Sequence, residues 1–214
     1  AIITGRDRPD VENLVNLTTL YYAGCHGFDI AGPEGSHVRH KVGRTSLRQL
    51  DQLEADLASW IQDTAGARIE RKTFAIAVHF RNVDPSQRTQ LDRNIAKVHP
   101  HQRVLRLHEG NALYEFRPNV SWNKADAVQW LLKTVMPNTP RVTPIYIGDD
   151  TADEEVFHYL QDFGITIKVA GEHSHTAAQY TLANTREVRQ FMHAISAVAQ
   201  NKPDSQSLRR DEHS

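Results

Sequence analysis

The sequence lacks the usual signs of covalent stapling or membrane insertion. It has one cysteine among its 214 residues, Cys25, which excludes an internal disulfide and fits a reducing compartment such as the cytoplasm. No apolar run approaches the roughly 18 residues that a membrane span needs, and no signal peptide is visible, so no membrane association is expected. Neither sign of charge dominates. With 25 Lys and Arg against 26 Asp and Glu, nothing argues for nucleic acid or an anionic surface as partner. Internal repeats and low-complexity tracts are also missing. What is present is an apolar fraction of 39 %, enough for a core at this length. Twelve scattered histidines add no metal-ligand pattern beyond His173-x-His175, which has no second ligand pair nearby.

Periodicity divides the chain into three stretches. Ala1–Gly5 reads as a short buried strand, followed by a helix with Val11, Leu14 and Val15 at helical spacing. Leu47, Leu50, Leu53, Leu57, Trp60 and Ile61 recur at steps of three and four, as in an amphipathic helix. Residues 68–81 alternate, with Phe74, Ile76, Val78 and Phe80 on one side. Asp84-Pro85 opens another helix, and strand-like runs 102–108 and 111–117 suggest a hairpin turning at Glu109-Gly110. The last third alternates again: helix 123–135, strand 144–148, helix 152–163, strand 165–170, a strand near 179–183 and helix 185–198. The expectation is an α/β fold with a parallel sheet built from 1–42 and 119–200, an inserted α+β layer at 45–117, and a polar, disordered tail over 201–214.

In open parallel sheets, ligands bind beyond the carboxyl ends of the strands. Thr4 ends the first strand, Lys124 opens a helix, and Asp149 and Asp150 follow the strand 144–148, with Asp153 one turn further. Hydroxyl and backbone N–H groups can hold phosphate oxygens, an ammonium neutralises them, and carboxylates bind a hard cation such as magnesium. These are the needs of phosphoryl transfer. Taken singly, each has a plainer reading. A helix lysine is usually solvated, and acidic residues such as Glu154 and Glu155 suit a helix N-terminus without any metal. The polar sides of the middle strands carry His79, Arg81, Glu115 and Arg117, and suggest a surface facing a polar ligand.

The order of these motifs resembles the haloacid dehalogenase-type phosphatases and, within them, the trehalose-6-phosphate phosphatases. "IITGR" (2–6), "GCHGFDIAGPEG" (24–35), "AVHFR" (77–81), "YEFRP" (114–118), "WNKADAVQWLL" (122–132), "GDDTADEEVF" (148–157) and "TAAQYTLANTREVRQFM" (176–192) carry the resemblance across nearly the whole chain. It implies a Rossmann-type parallel sheet with an inserted cap and magnesium-dependent hydrolysis of trehalose 6-phosphate through a phospho-aspartate. Thr4, with Gly5 and Arg6, would hold the phosphate. Lys124 would bind the phosphate and the nucleophile. Asp149 would ligate magnesium, and Asp153 would support it directly or through water. His26, His79, Arg81, Glu115 and Arg117 would contact the sugar or phosphate. Fusion to, or association with, a trehalose-phosphate synthase is a further implication.

Three departures stand out. Cys25 occupies a position where asparagine is expected, and Ala125 one where glycine is more usual. The family's Asp-x-Asp-x-Thr motif, with its nucleophile and general acid, does not occur; Asp7 and Asp10 follow the second motif and have the wrong spacing. The expectation is therefore a fragment of a longer chain, inactive alone. The alternatives are a non-catalytic regulatory module that binds sugar phosphates, or a phosphatase for another phosphosugar such as sucrose phosphate.

Overall fold

The computed structural model describes residues 1–33, 36–39, 44–98, 103–135, 142–169 and 175–200. The expected tail at 201–214 and His173 lie outside the described residues. Two compact units divide the chain, Ala1–Pro137 and Asn138–Ser214.

In the first unit, β1 (Ile2–Ile3) pairs in parallel with β2 (Tyr22–Gly24). Helix α1 (Arg8–Val15) connects them. Of its three expected apolar residues only Val11 is buried, and Leu14 faces outward. β3 (Asp29–Ala31) and β4 (His37–Arg39) extend this sheet antiparallel, in the order β1-β2-β3-β4.

A second sheet belongs to the middle stretch. Helix α2 (Leu47–Ile61) buries Leu50, Leu53, Leu57 and Ile61, the stripe that its spacing predicts. The single strand expected over 68–81 folds instead as a hairpin, β5 (Arg68–Lys72) and β6 (Ala75–His79), turning at Thr73-Phe74. Phe74 therefore leaves the stripe. It is fully buried against Cys25 and Phe28, its ring centroid 6.1 Å from that of Phe28. Helix α3 (Pro85–Ala96) starts as expected, with the Asp84 carboxylate accepting the Ser86 N–H at 2.8 Å. β7 (Leu105–Gly110) and β8 (Leu113–Pro118) turn at Asn111-Ala112, two residues beyond the expected Glu109-Gly110. Ala112 adopts φ 58° there. The later turn sets Leu107 opposite Phe116, so apolar side chains meet across the ladder.

This antiparallel sheet runs β5-β6-β8-β7. Ile76, Val78, Tyr114, Phe116 and Leu105 project from one face onto α2 and onto Leu91 and Ile95 of α3. Strand alternation leaves the opposite face to Glu70, Lys72, Ala75, Ala77, Glu115, Arg117 and His108. The 45–117 segment thus has its own sheet and its own core, yet the chain does not part at its ends. Polar contacts bind it to the loops after β1 and β2. Helix α4 (Lys124–Val135) then packs Ala127 and Leu131 on Ala23 and Ile30 of the first sheet.

The second unit holds the parallel sheet β11-β10-β9, formed by β9 (Ile145–Gly148), β10 (Ile165–Val169) and β11 (Tyr180–Leu182). A 3-10 turn, Thr151–Asp153, leads into α5 (Glu154–Leu160), whose Val156, Phe157 and Leu160 are buried. Helix α6 (Thr185–Gln200) completes the unit. Among the described residues no helix is long and apolar enough to cross a membrane.

Candidate active site

The loop after β1 is built around Thr4. Its hydroxyl accepts the Arg6 N–H at 3.1 Å, a local turn that curls the backbone of residues 4–6. Gly5 has no room for a side chain, since a Cβ would lie 2.6 Å from His26 Nε2. The imidazole therefore rests directly on this loop. Arg6 is exposed. Cys25 and His26 both take left-handed backbone angles, φ 49° and 59°. Asparagine tolerates that region better than cysteine, which gives the departure at Cys25 a local conformational cost. Burial, and then the charge of Asp7, push the Cys25 thiol up, so it remains protonated.

Glu115 is the hub of the polar face. Only 3 % exposed, its carboxylate accepts Lys72 Nζ at 2.6 Å and Arg117 Nε at 2.6 Å, and lies 3.5 Å from His26 Nε2. Burial alone would raise its pKa. The His26 contact and the charges of Arg117 and Lys72 outweigh burial and hold the carboxyl well below the usual range. His26 is pushed the other way, mainly by burial, and also by the charges of Arg117 and Lys124, so it is neutral at pH 7. Lys72 also donates to the Gly5 carbonyl at 2.9 Å, which joins the sheet face to the Thr4 loop. His108, opposite Glu115 in the ladder, is lowered to about 4 by burial and by Arg117.

Two further candidates are placed differently. His79 bonds Glu70 Oε2 at 2.6 Å across the hairpin; Glu70 lies in the same row as Ala77 and Glu115, and His79 two pairs along. Arg81 lies beyond β6 in an exposed turn and takes no part in this network. Sequence reasoning missed Lys72, Glu70, His108 and Asp7. The alternation Arg68–Ile69–Glu70–Arg71–Lys72 held a signal for the first two, but it was legible only with the hairpin turn at 73–74 in hand.

Lys124 is buried, at 6 % exposure, at the first residue of α4. The ordinary reading of a solvated helix lysine does not hold. Asn123 and Asp126 cap this helix reciprocally, Asp126 N–H to Asn123 Oδ1 at 3.0 Å and Asn123 N–H to Asp126 Oδ2 at 2.9 Å. A cation at a helix N-terminus opposes the macrodipole, and burying it adds to the cost. The local electrostatics there suit an anion.

In the second unit, Asp153 is 3 % exposed. Its Oδ2 accepts the N–H groups of Asp149 at 3.0 Å and Asp150 at 2.9 Å, and its Oδ1 accepts the Tyr146 hydroxyl at 2.7 Å. Gly148 is obligatory beneath it, since a Cβ would come within 2.5 Å of Asp153 Cγ. Burial, then the charge of Asp153, raise the Tyr146 pKa, so the phenol stays a donor. Glu154 is also engaged rather than merely facing the dipole. It accepts from Lys168 at 3.2 Å, the Thr176 hydroxyl at 3.1 Å and the Ala177 N–H at 2.8 Å. Asp149, by contrast, is exposed at the carboxyl end of β9. No group of three or more His, Cys, Asp or Glu that could hold a metal occurs among the described residues.

Parallel strand pairs, β1-β2 in the first unit and β11-β10-β9 in the second, with an α+β layer in the first unit, point to the class. The chain has the haloacid dehalogenase fold. A haloacid dehalogenase-like hydrolase from Bacteroides thetaiotaomicron superposes with TM-score 0.65 at 12 % identity, over 90 % of this chain and 85 % of that one. A crystal structure of a trehalose-6-phosphate phosphatase related protein superposes with TM-score 0.78 at 25 % identity, over 94 % of this chain and 82 % of that one. In sequence, the chain is 36 % identical to a probable trehalose-phosphate phosphatase I of Arabidopsis thaliana over 95 % of its length, and spans 58 % of that relative. The trehalose-phosphatase family model matches residues 1–186, and the chain belongs to this family.

Proposed function

We propose that the protein carrying this chain is a phosphoric monoester hydrolase that converts trehalose 6-phosphate to trehalose and phosphate. The observation that carries the reading is the buried ammonium of Lys124 at a capped helix start, in a chain whose family is trehalose-phosphatase. Lys124 neutralises the transferring phosphoryl group, and the Thr4 hydroxyl with the Gly5 N–H holds its oxygens, while the Arg6 N–H is spent on the Thr4 turn that shapes the loop. The polar face around Glu115 and Arg117, with His26 and His79, reads the sugar hydroxyls, and the 45–117 layer acts as the cap. Arg81, exposed beyond β6, meets only a substrate that extends past the strand.

The acidic loop fits magnesium through one residue in particular. Asp149 offers an exposed carboxylate, the hard oxygen donor that this cation takes. Both oxygens of Asp153 already accept protein donors, so Asp153 braces the loop and presents Asp149. When bound, magnesium would supply a hard divalent charge at the Asp149 loop. The aspartate nucleophile that the family resemblance implies has no Asp-x-Asp-x-Thr counterpart in these 214 residues. We expect the cytoplasm as its compartment, since Cys25 is the one cysteine of the sequence and no disulfide framework is available. A trehalose-phosphate synthase, the class of enzyme that supplies the substrate, is the partner we expect.

The test is phosphate release by the full-length protein from trehalose 6-phosphate, sucrose 6-phosphate and glucose 6-phosphate, with magnesium and with chelator. Turnover on trehalose 6-phosphate that magnesium restores supports the reading. Binding of trehalose 6-phosphate without turnover of any ester would make the protein a regulatory module instead.

A further inference from the structure

Asp7 stands at the N-cap position of α1 with extended backbone angles, φ −65° and ψ 146°. An aspartate there ordinarily accepts an N–H from the first turn of its own helix, a bond whose loss costs about 1 kcal/mol. Asp7 makes no such bond. Its carboxylate is turned outward to the cap hairpin. It accepts the Thr73 N–H at 3.1 Å, the Thr73 hydroxyl at 3.1 Å and the Cys25 thiol at 3.1 Å. The thiol stays a donor because burial keeps it protonated.

Thr73 is the first residue of the turn that follows Lys72. Lys72 in turn reaches the Gly5 carbonyl at 2.9 Å and Glu115 Oε1 at 2.6 Å. Asp7 and Gly5 belong to the same loop as Thr4. So one short segment of the first sheet grips the cap hairpin at two successive residues, by a carboxylate at Thr73 and by a carbonyl at Lys72. Because side chains alternate along a strand, a slip of one residue at this turn would carry Lys72 to the apolar face and part it from Glu115.

We propose that Asp7 is a positioning residue. It gives up its own helix cap to fix the register of the cap hairpin over the Thr4–Arg6 loop, and so sets the reach of Lys72 and Glu115 toward the sugar. This rests on the phosphatase reading for its kinetic consequence, but not for its structural one. A residue acting through the cap matters for a substrate that touches the cap and little for a small ester that does not.

The experiment uses the full-length protein with Asp7→Ala, Asp7→Asn and Thr73→Val. Amide hydrogen exchange is followed at residues 68–79 and, as internal reference, in α2 and α3. Initial rates are measured on trehalose 6-phosphate and p-nitrophenyl phosphate. Asp7→Ala is expected to speed exchange at Thr73 and Ala75–His79 at least about tenfold, while α2 and α3 keep wild-type protection. It should lower kcat/KM on trehalose 6-phosphate about thirtyfold or more, and on p-nitrophenyl phosphate less than about threefold. Asp7→Asn, which keeps an acceptor for the Thr73 N–H, should recover much of both, and Thr73→Val should give an intermediate loss. Equal kinetic losses on the two esters would overturn the proposal, as would wild-type exchange at Thr73 in Asp7→Ala. Loss of protection in α2 and α3 together with the hairpin would also overturn it, since Asp7 would then be a general stability residue. If the wild-type protein hydrolyses neither ester, the phosphatase reading fails, and the exchange data alone decide the role of Asp7.

Discussion

Replacing Glu115 by glutamine preserves shape and removes one charge from a carboxylate that meets Lys72, Arg117 and His26. Lys72 and Arg117, with side chains 11 % and 21 % exposed, would lose their shared counter-ion and face each other across an amide. Removing one partner of a buried pair typically costs about 3–5 kcal/mol, because the remaining charge is left uncompensated. Here two cations remain, so the upper half of that range applies. Lys72→Met should cost less, since Glu115 keeps Arg117. The sign of the pH dependence follows from the depressed pKa of Glu115 in the fold. Its stabilisation is fully present above the unfolded value of 4.5 and is lost as pH falls through the folded value, which lies below the usual carboxylate range. Urea unfolding of wild type and Glu115→Gln from pH 8 to pH 3 is the assay. The gap between them should be constant down to about pH 4.5 and should narrow below it. A gap under about 1 kcal/mol at pH 7, the range of exposed ion pairs, would refute the claim that this network is buried and coupled. So would a gap that widens toward acid.

Lys124→Met keeps the packing of a long side chain and removes its charge. Turnover of trehalose 6-phosphate by the full-length protein should fall at least about a hundredfold with unchanged circular dichroism, and near-wild-type rates would remove Lys124 from the chemistry. Tyr146→Phe takes one donor from Asp153 and should lower stability by roughly 1–2 kcal/mol. It should also weaken magnesium binding measured by calorimetry; an unchanged affinity would show that the brace on the Asp149 loop does not depend on the phenol. The Cys25 thiol should resist Ellman's reagent in the folded protein and react at once in denaturant, whereas rapid native labelling would contradict its burial and its raised pKa.

The parts of this fold that the sequence reveals are those governed by one local period. Leu50, Leu53, Leu57 and Ile61 are buried where a 3.6-residue repeat puts them. The cap of α3 is visible in Asp84-Pro85, and the parallel strands of the second unit lie within a residue or two of their expected limits. The errors occur where a distant partner overrides the period. Residues 68–81 alternate smoothly, and nothing local marks Thr73 as a turn; the deciding contact comes from Asp7, 66 positions earlier. The turn at Asn111-Ala112 is chosen by the match of Leu107 with Phe116 rather than by a turn dipeptide. Candidate residues with a chemical reason to sit at strand ends, such as Thr4 and Asp149, were legible from the strands alone. Lys124 was legible as a position but not as a buried charge, because burial depends on the 25–27 loop that packs against α4. The second, bracing role of Asp153 was hidden for a similar reason, since backbone N–H groups carry no sequence signal.

The burial of Lys124 has a consequence for how this protein survives as well as for what it does. A buried ammonium at the positive end of a helix is a place where an added anion is favoured. Any phosphate or sulfate that binds there shifts the balance between folded and unfolded chains by mass action, about 2.7 kcal/mol at a hundred times its dissociation constant. The melting temperature should therefore climb with inorganic phosphate in wild type and stay flat in Lys124→Met. A bound anion would by the same linkage lower the fraction of unfolded chain open to proteolysis, a protection that Lys124→Met should lose.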